Sequence, residues 1–215
     1  MENFSSTRDD VLYSRHVRWD RFFDDLEGQL ASEWEAERAA LDTEAERLRL
    51  SRVALRERLT MLESRDRDAA PPSFEVVDGT VLSAEVTGVG ADWVALEGGR
   101  TGALVLPFAS IAAIGMPHAD VLRSARPAAG RSLLADRMTL GFVVRDLVRR
   151  RVGVTIHLTH GRILAGTIDR AGADHLDLAL HEPGSPRRAS EITGHRIVPF
   201  GAVAWIRLDA GTLLA

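Results

Sequence analysis

Arg145, Arg149, Arg150 and Arg151, with Arg162, Arg187 and Arg188, form the one basic concentration in this chain. Guanidinium groups gathered this densely suit the phosphates of nucleic acid, which they grip without reading base sequence. The competing reading is a solvated helix end, where arginine also complements the negative end of the helix dipole. Five of the seven histidines, His157, His160, His175, His181 and His195, fall in the same region. Side chains alternate along a strand, so His157 and His160, three apart, point to opposite faces and make a poor metal pair. Asp174 matches an earlier Asp92 at a turn, a place where aspartate bonds backbone amides. The chain carries no P-loop, nucleophile elbow, zincin helix or triad pattern. We therefore expect no catalytic residue, no metal and no cofactor, and read a non-catalytic binding or assembly protein.

A duplicated module must position these groups. Gly79, Leu82, Ala84, Val86, Gly90, Ala91 and Asp92 recur as Gly161, Leu164, Gly166, Ile168, Gly172, Ala173 and Asp174 at a constant offset of 82. Pro107, Phe108, Ile111 and Ile114 recur as Pro199, Phe200, Val203 and Ile206 at an offset of 92, so the second copy holds ten additional residues, placed within Glu182 to Gly194. Repetition of this kind sets the architecture. Strand candidates in the first copy are 74–77, 80–87, 92–96, 102–106 and 110–114, separated by glycine turns. Five short strands in so few residues predict a small closed barrel. Gly161 serves a tight turn and Gly166 a bend.

Residues 18–66 are rich in Ala, Leu, Glu and Arg, lack proline, and predict helix. Trp19, Phe22, Phe23, Leu26 and Leu30 form an aromatic and aliphatic stripe that needs an apolar partner surface. A heptad register follows through Trp34, Arg38, Leu41, Ala45, Leu48, Arg52, Leu55, Leu59 and Leu62. Its flanks are acidic first and basic later, so Glu35 meets Arg56, Asp42 meets Arg49 and Glu37 meets Arg58 in an antiparallel pairing. The spacing predicts a homo-oligomer, an antiparallel dimer through residues 34–62; the alternative is a single helix folded on its own β-modules. The charge pattern selects orientation, because exposed pairs contribute little stability.

Net charge is −5 over residues 1–70, −5 over 71–120 and +6 over 121–215. Such asymmetry marks an anionic partner for the basic part or docking of one part on another. Cysteine is absent, which excludes disulfides. No apolar run approaches a membrane span and the first residues lack a signal pattern, so we expect no membrane partner and a cytoplasmic location.

The stretch from Val154 to Ile168, followed by Asp174 to Leu180, resembles the first motif of Sm-like proteins, through Gly161, Leu164, Gly166, Asp174 and Leu178. Short SH3-like barrels, including the PRC-barrel type with its V-P-F-x-x-(I/V) element, are similar around Pro107 and Pro199. The opening R-W-D-x-x-F-x-D-L-E, Arg18 to Glu27, resembles that of an uncharacterised bacterial family. The Sm-like resemblance implies a helix before each barrel of five bent strands, and an RNA pocket built on an Asn and an Arg-Gly. Asp177, or Ala95 in the first copy, holds the Asn place, and an acidic group there repels phosphate.

The chain thus reads as α+β: a helical, coiled-coil segment at 1–70, a first five-stranded Sm-like or SH3-like barrel at 71–116, a linker at 117–132, and a helix plus second barrel at 133–215. Nucleic acid is the candidate ligand of the basic second barrel; the alternative is a protein–protein scaffold or adaptor without a nucleic-acid role.

Overall fold

The computed structural model describes residues 7–65, 70–99, 102–126, 134–185 and 187–209, with side chains from Phe22 onward. Two compact units divide the chain, 1–52 and 53–215. The first is a single helix, α1 (Thr7–Ser51), about 68 Å long at 1.5 Å per residue. Its surface carries i,i+3 ion pairs, Glu44–Arg47 at 3.7 Å and Glu46–Arg49 at 2.7 Å. None of its described helices is long and apolar enough to cross a membrane.

The predicted helix to Asp66 does not run through. It stops at Ser51, and α2 (Leu55–Glu63) starts afresh within the second unit. Leu59 is fully buried and Leu62 nearly so, both in a β-sheet core. Leu59 and Leu62, the last two positions of the heptad seam, thus pack in the protein's own sheet core. A seven-residue apolar repeat describes one face of a helix; it does not say whether a helix or a sheet covers that face.

Among the described residues the second unit has eleven strands: β1 (Ser73–Val76), β2 (Val81–Ser83), β3 (Glu85–Val89), β4 (Trp93–Gly98), β5 (Gly102–Pro107), β6 (Ile111–Gly115), β7 (Gly153–Leu158), β8 (Ile163–Ala171), β9 (His175–Leu180), β10 (Gly194–Pro199) and β11 (Val203–Leu208). Helices α3 (His118–Ser124) and α4 (Leu140–Arg150) lie between the copies. All pairings are antiparallel, in a three-stranded sheet of order β2-β1-β6 and an eight-stranded sheet of order β10-β9-β8-β7-β11-β5-β4-β3.

The repeat holds at the level of individual hydrogen bonds. Gly79 and Gly161 both take left-handed φ, 85° and 84°, where an L side chain is strained. The Val76 amide donates to Thr80 O and the Leu158 amide to Arg162 O, each at 2.8 Å. Phe108 N–H donates to Asp92 O and Phe200 N–H to Asp174 O, again both at 2.8 Å. A β-bulge falls between Val86 and Gly88 in one copy and between Ile168 and Arg170 in the other.

Several expectations need correction. The strand expected at 80–87 breaks at Ala84 into β2 and β3, so the first copy has six strands and the second five. Neither sheet closes on itself: β5 turns through a 3-10 segment, Phe108–Ser110, into β6 without pairing with it, and pairs instead with β11 of the other copy. The helix expected from 133 begins at Leu140. The expected linker contains α3.

Two apolar cores cross the junction between copies. One joins the second copy and α4 to Trp93, Ala95 and Val105 of the first; the other joins the first copy and α2 to Ala204 and Trp205 of the second. Two hydrogen bonds reinforce it, Ser110 Oγ donating to Val203 O at 2.8 Å and Trp205 Nε1 to Asp78 Oδ2 at 3.1 Å; within the second copy, His157 stacks on Trp205 with centroids 3.5 Å apart. Burial pushes the His157 pKa down, against the pull of Asp78.

Arg65, just after α2, is buried. Its guanidinium binds Asp120 of α3 at 2.9 Å, Glu85 at 3.3 Å and the Ala70 carbonyl at 2.6 Å. Removing one partner of such a group strands a buried charge. Arg65→Met should therefore lower stability by about 3 kcal/mol, read as a shift in the denaturant midpoint. At Gly166 a Cβ would overlap the Ala179 carbonyl of β9. Gly166→Val should destabilise the unit by about 3 kcal/mol; an unchanged melting temperature would remove this glycine from the bend.

Candidate functional site

The second copy carries an open cleft of about 730 Å³, walled by Val148 and Arg151 beside α4, Thr167 to Arg170 of β8, Asp177 of β9, Arg187, and His195 to Ile197 of β10. Three features of the chain build it. Cross-strand register sets Arg170 opposite Asp177 and Asp177 opposite Ile197, a row across three strands. The bulge at Asp169 re-aims its carboxylate. The additional residues of the second copy bring in Arg187, whose guanidinium grips Asp169 through two bonds of 2.6 and 2.8 Å.

That hydrogen-bonded pair holds the Asp169 carboxyl below the usual carboxylate range, helped by the charges of His195 and Arg151, and raises Arg187. His195 Nε2 lies 3.9 Å from Asp169. Arg196 Nη1 donates to the carbonyl of His195 at 2.8 Å, and Arg151 adopts left-handed φ of 53° where α4 ends. Four guanidiniums thus face one cleft that holds two carboxylates. The geometry suits an anion with several oxygens.

Of the arginines singled out by sequence, the cleft gathers Arg151 and Arg187 only. Arg149 and Arg150 are both tied to Asp146, Arg150 at 2.7 Å, and Arg188 reaches Glu191 at 3.5 Å. Arg145 is exposed on α4. Arg162 sits in the β7–β8 turn, the opposite end of that hairpin from Arg151 and Arg170. Arg170, Arg196 and His195 were missed as a group, because a count along the chain does not see cross-strand neighbours. The duplication held the usable signal: Asp177, His195 and Arg196 stand where the first copy has Ala95, Ala103 and Leu104.

Histidines divide by role. His181 is buried between Thr167 Oγ1 at 2.9 Å and the Glu182 carbonyl at 3.0 Å, and His175 pairs with Asp174 at 2.9 Å. No cluster of metal-ligating side chains occurs among the described residues. On α1, Phe22, Phe23, Leu26, Leu30, Trp34, Leu41 and Leu48 are exposed, as are Arg38 and Ala45; the Trp19 side chain lies outside the described residues. Arg52 is exposed at the end of the first unit, and Leu55 opens α2 in the second.

A second cleft, of about 580 Å³, lies on the first copy between α2 and α4, among Arg56, Thr60, Trp93, Met138, Phe142 and Asp146. Arg56 bridges it, bound to Asp136 at 2.5 Å and donating to Gly90 O at 2.7 Å.

Asp169→Asn should free Arg187 and speed amide exchange across 187–193 while leaving the core strands unchanged. A carboxyl whose folded pKa is depressed stabilises above its unfolded value and loses that contribution as pH falls through the folded one. Acidification below the ordinary carboxylate range should therefore reproduce the variant's exchange pattern in the natural chain. Comparison with protein-family models, with curated proteins and with solved structures found no match to this chain.

Proposed function

We propose that the chain is a non-catalytic binding and assembly protein in which two Sm-like or SH3-like small barrels, each preceded by a helix, serve as the platform and the second holds nucleic-acid phosphates. The observation that carries this reading is the cleft on the second copy. Arg151, Arg170, Arg187 and Arg196 converge there, whereas the positions of the first copy that match Asp177, His195 and Arg196 hold Ala95, Ala103 and Leu104. The strand order supports the barrel reading: in each copy the fifth strand pairs with the first, the first with the second, the second with the third, and the third with the fourth, once β2 and β3 are counted as one bent strand. Contacts of this kind hold a backbone and carry no base code.

The scaffold reading draws on a different observation, the exposed Phe22, Phe23, Leu26 and Leu30 on α1, which fit an apolar protein partner. Self-association through the exposed Trp34 to Leu48 face belongs to either reading.

Salt separates them. Arg151, Arg170 and Arg196 form no ion pair among the described residues, so phosphate binding should fall with log salt at a slope of about −3 on duplex DNA and about −2 on single strands. Arg170→Ala and Arg196→Ala should each reduce that slope by roughly one. Absence of salt-sensitive binding to RNA or duplex DNA at low ionic strength would eliminate the nucleic-acid role and leave the scaffold.

A further inference from the structure

Inside the second unit, three of the contacts by which the second copy docks on the first have an unfilled counterpart. Strand β11 pairs with β5, Ile206 opposite Val105 and Arg207 opposite Leu104. By the offset of 92, β11 corresponds to β6 and β5 to β10, and β6 and β10 are edge strands. Val105 is 0% exposed in the junction, while its equivalent Ile197 is 73% exposed.

Helix α4 precedes the second copy as α2 precedes the first, and the spacing of Leu140, Val144 and Leu147 repeats that of Leu55, Leu59 and Leu62. Leu140 is 4% exposed, in the core that takes in Trp93, Ala95 and Val105 of the first copy, but Leu55 is 42% exposed. The Leu140 amide, at the first turn of α4, donates to Asp92 Oδ1 at 2.7 Å. The equivalent Asp174 has a side chain 90% exposed. In turn α2 begins at Ala54 with no side-chain cap, leaving orphan amides that a carboxylate satisfies.

We infer that a second copy of this chain docks on the β10 edge as the second module docks on the first, going beyond the phosphate-binding role. Its β6 pairs with β10, Ile114 opposite Ile197 and Gly115 opposite Arg196. Its Leu55 seats against the second module, and Asp174 caps the first turn of its α2. Charge favours this orientation, because the docking part, residues 71–120, carries −5 and the receiving part, 121–215, carries +6. The 730 Å³ cleft stays accessible, since the equivalent cleft on the first copy remains open with both α2 and α4 on its walls. The contact joins unlike surfaces, so copies add head to tail.

The natural chain has no cysteine, so single introduced thiols report one contact each. Full-length Ile114→Cys and Ile197→Cys are oxidised separately and mixed; the disulfide-linked pair should appear in the mixture and in neither variant alone. Ile114 is partly buried, so Leu55→Cys with Asp174→Cys, both at exposed positions, repeats the test with a short thiol-to-thiol linker. Product in both mixtures confirms the docking. No mixed product from either pair, in chains that melt like the natural one, overturns it; so does self-linking of Ile197→Cys as efficient as the mixed reaction, which would mean β10 pairing with itself. Phosphate binding is measured on Leu55→Cys and Asp174→Cys, whose positions lie outside the walls of the 730 Å³ cleft, so loss of docking and loss of phosphate binding are read separately.

Discussion

Strands β5 and β11 exchange backbone hydrogen bonds in the middle of the eight-stranded sheet, and almost everything else about the second unit depends on that short ladder. It sets Ile206 opposite Val105 and lets each core borrow from the other copy: Val105 and Trp93 in one direction, Trp205 and Ala204 in the other. Asp92 then holds the first amide of α4 and Trp93 Nε1 donates to the Met138 carbonyl at 2.8 Å. These are directional bonds at the edge of an apolar seam, the combination that specifies one docking geometry over others of similar area.

Topology, rather than local preference, explains why two copies of one motif have diverged in chemistry. Positions on β4 and β5 of the first copy are covered by the neighbouring copy and are apolar: Ala95, Ala103, Leu104. The same positions on β9 and β10 face solvent and have become Asp177, His195 and Arg196. Burying unpaired charge is expensive, so the covered copy has no such freedom. Ile197 is the exception to this trade, an aliphatic side chain kept at an edge where polar residues would be soluble.

Much of this was legible in the sequence because glycine and register are local constraints. Gly79 and Gly161 hold the same turn, and the offset of 82 carries over to the bulges at Val86–Gly88 and Ile168–Arg170. The break at Ala84 was not legible, since an alanine there has the propensity of its neighbours. Nor was the fate of Leu59: the spacing that makes a coiled-coil seam also makes a helix lie on a sheet, and only tertiary packing decides. The site was half visible. A run such as Arg149, Arg150, Arg151 stands out in one dimension, yet Asp146 neutralises the first two, while Arg170 and Arg196, 26 positions apart by number, meet only because β9 lies between their strands.

The additional residues before β10 make a final point about what such a module tolerates. They bring Arg187 to Asp169 and so build one wall of the cleft, but they leave the strand pairing untouched. Gly194 opposite Leu180 through Pro199 opposite His175 repeats, residue for residue, Gly102 opposite Gly98 through Pro107 opposite Trp93. A loop can lengthen at small entropic expense, whereas a one-residue slip in β10 would turn every side chain to the wrong face. Charge on that strand, from Arg196, discourages indiscriminate strand addition, so an edge held in register and guarded by charge admits only a partner that brings its own complement.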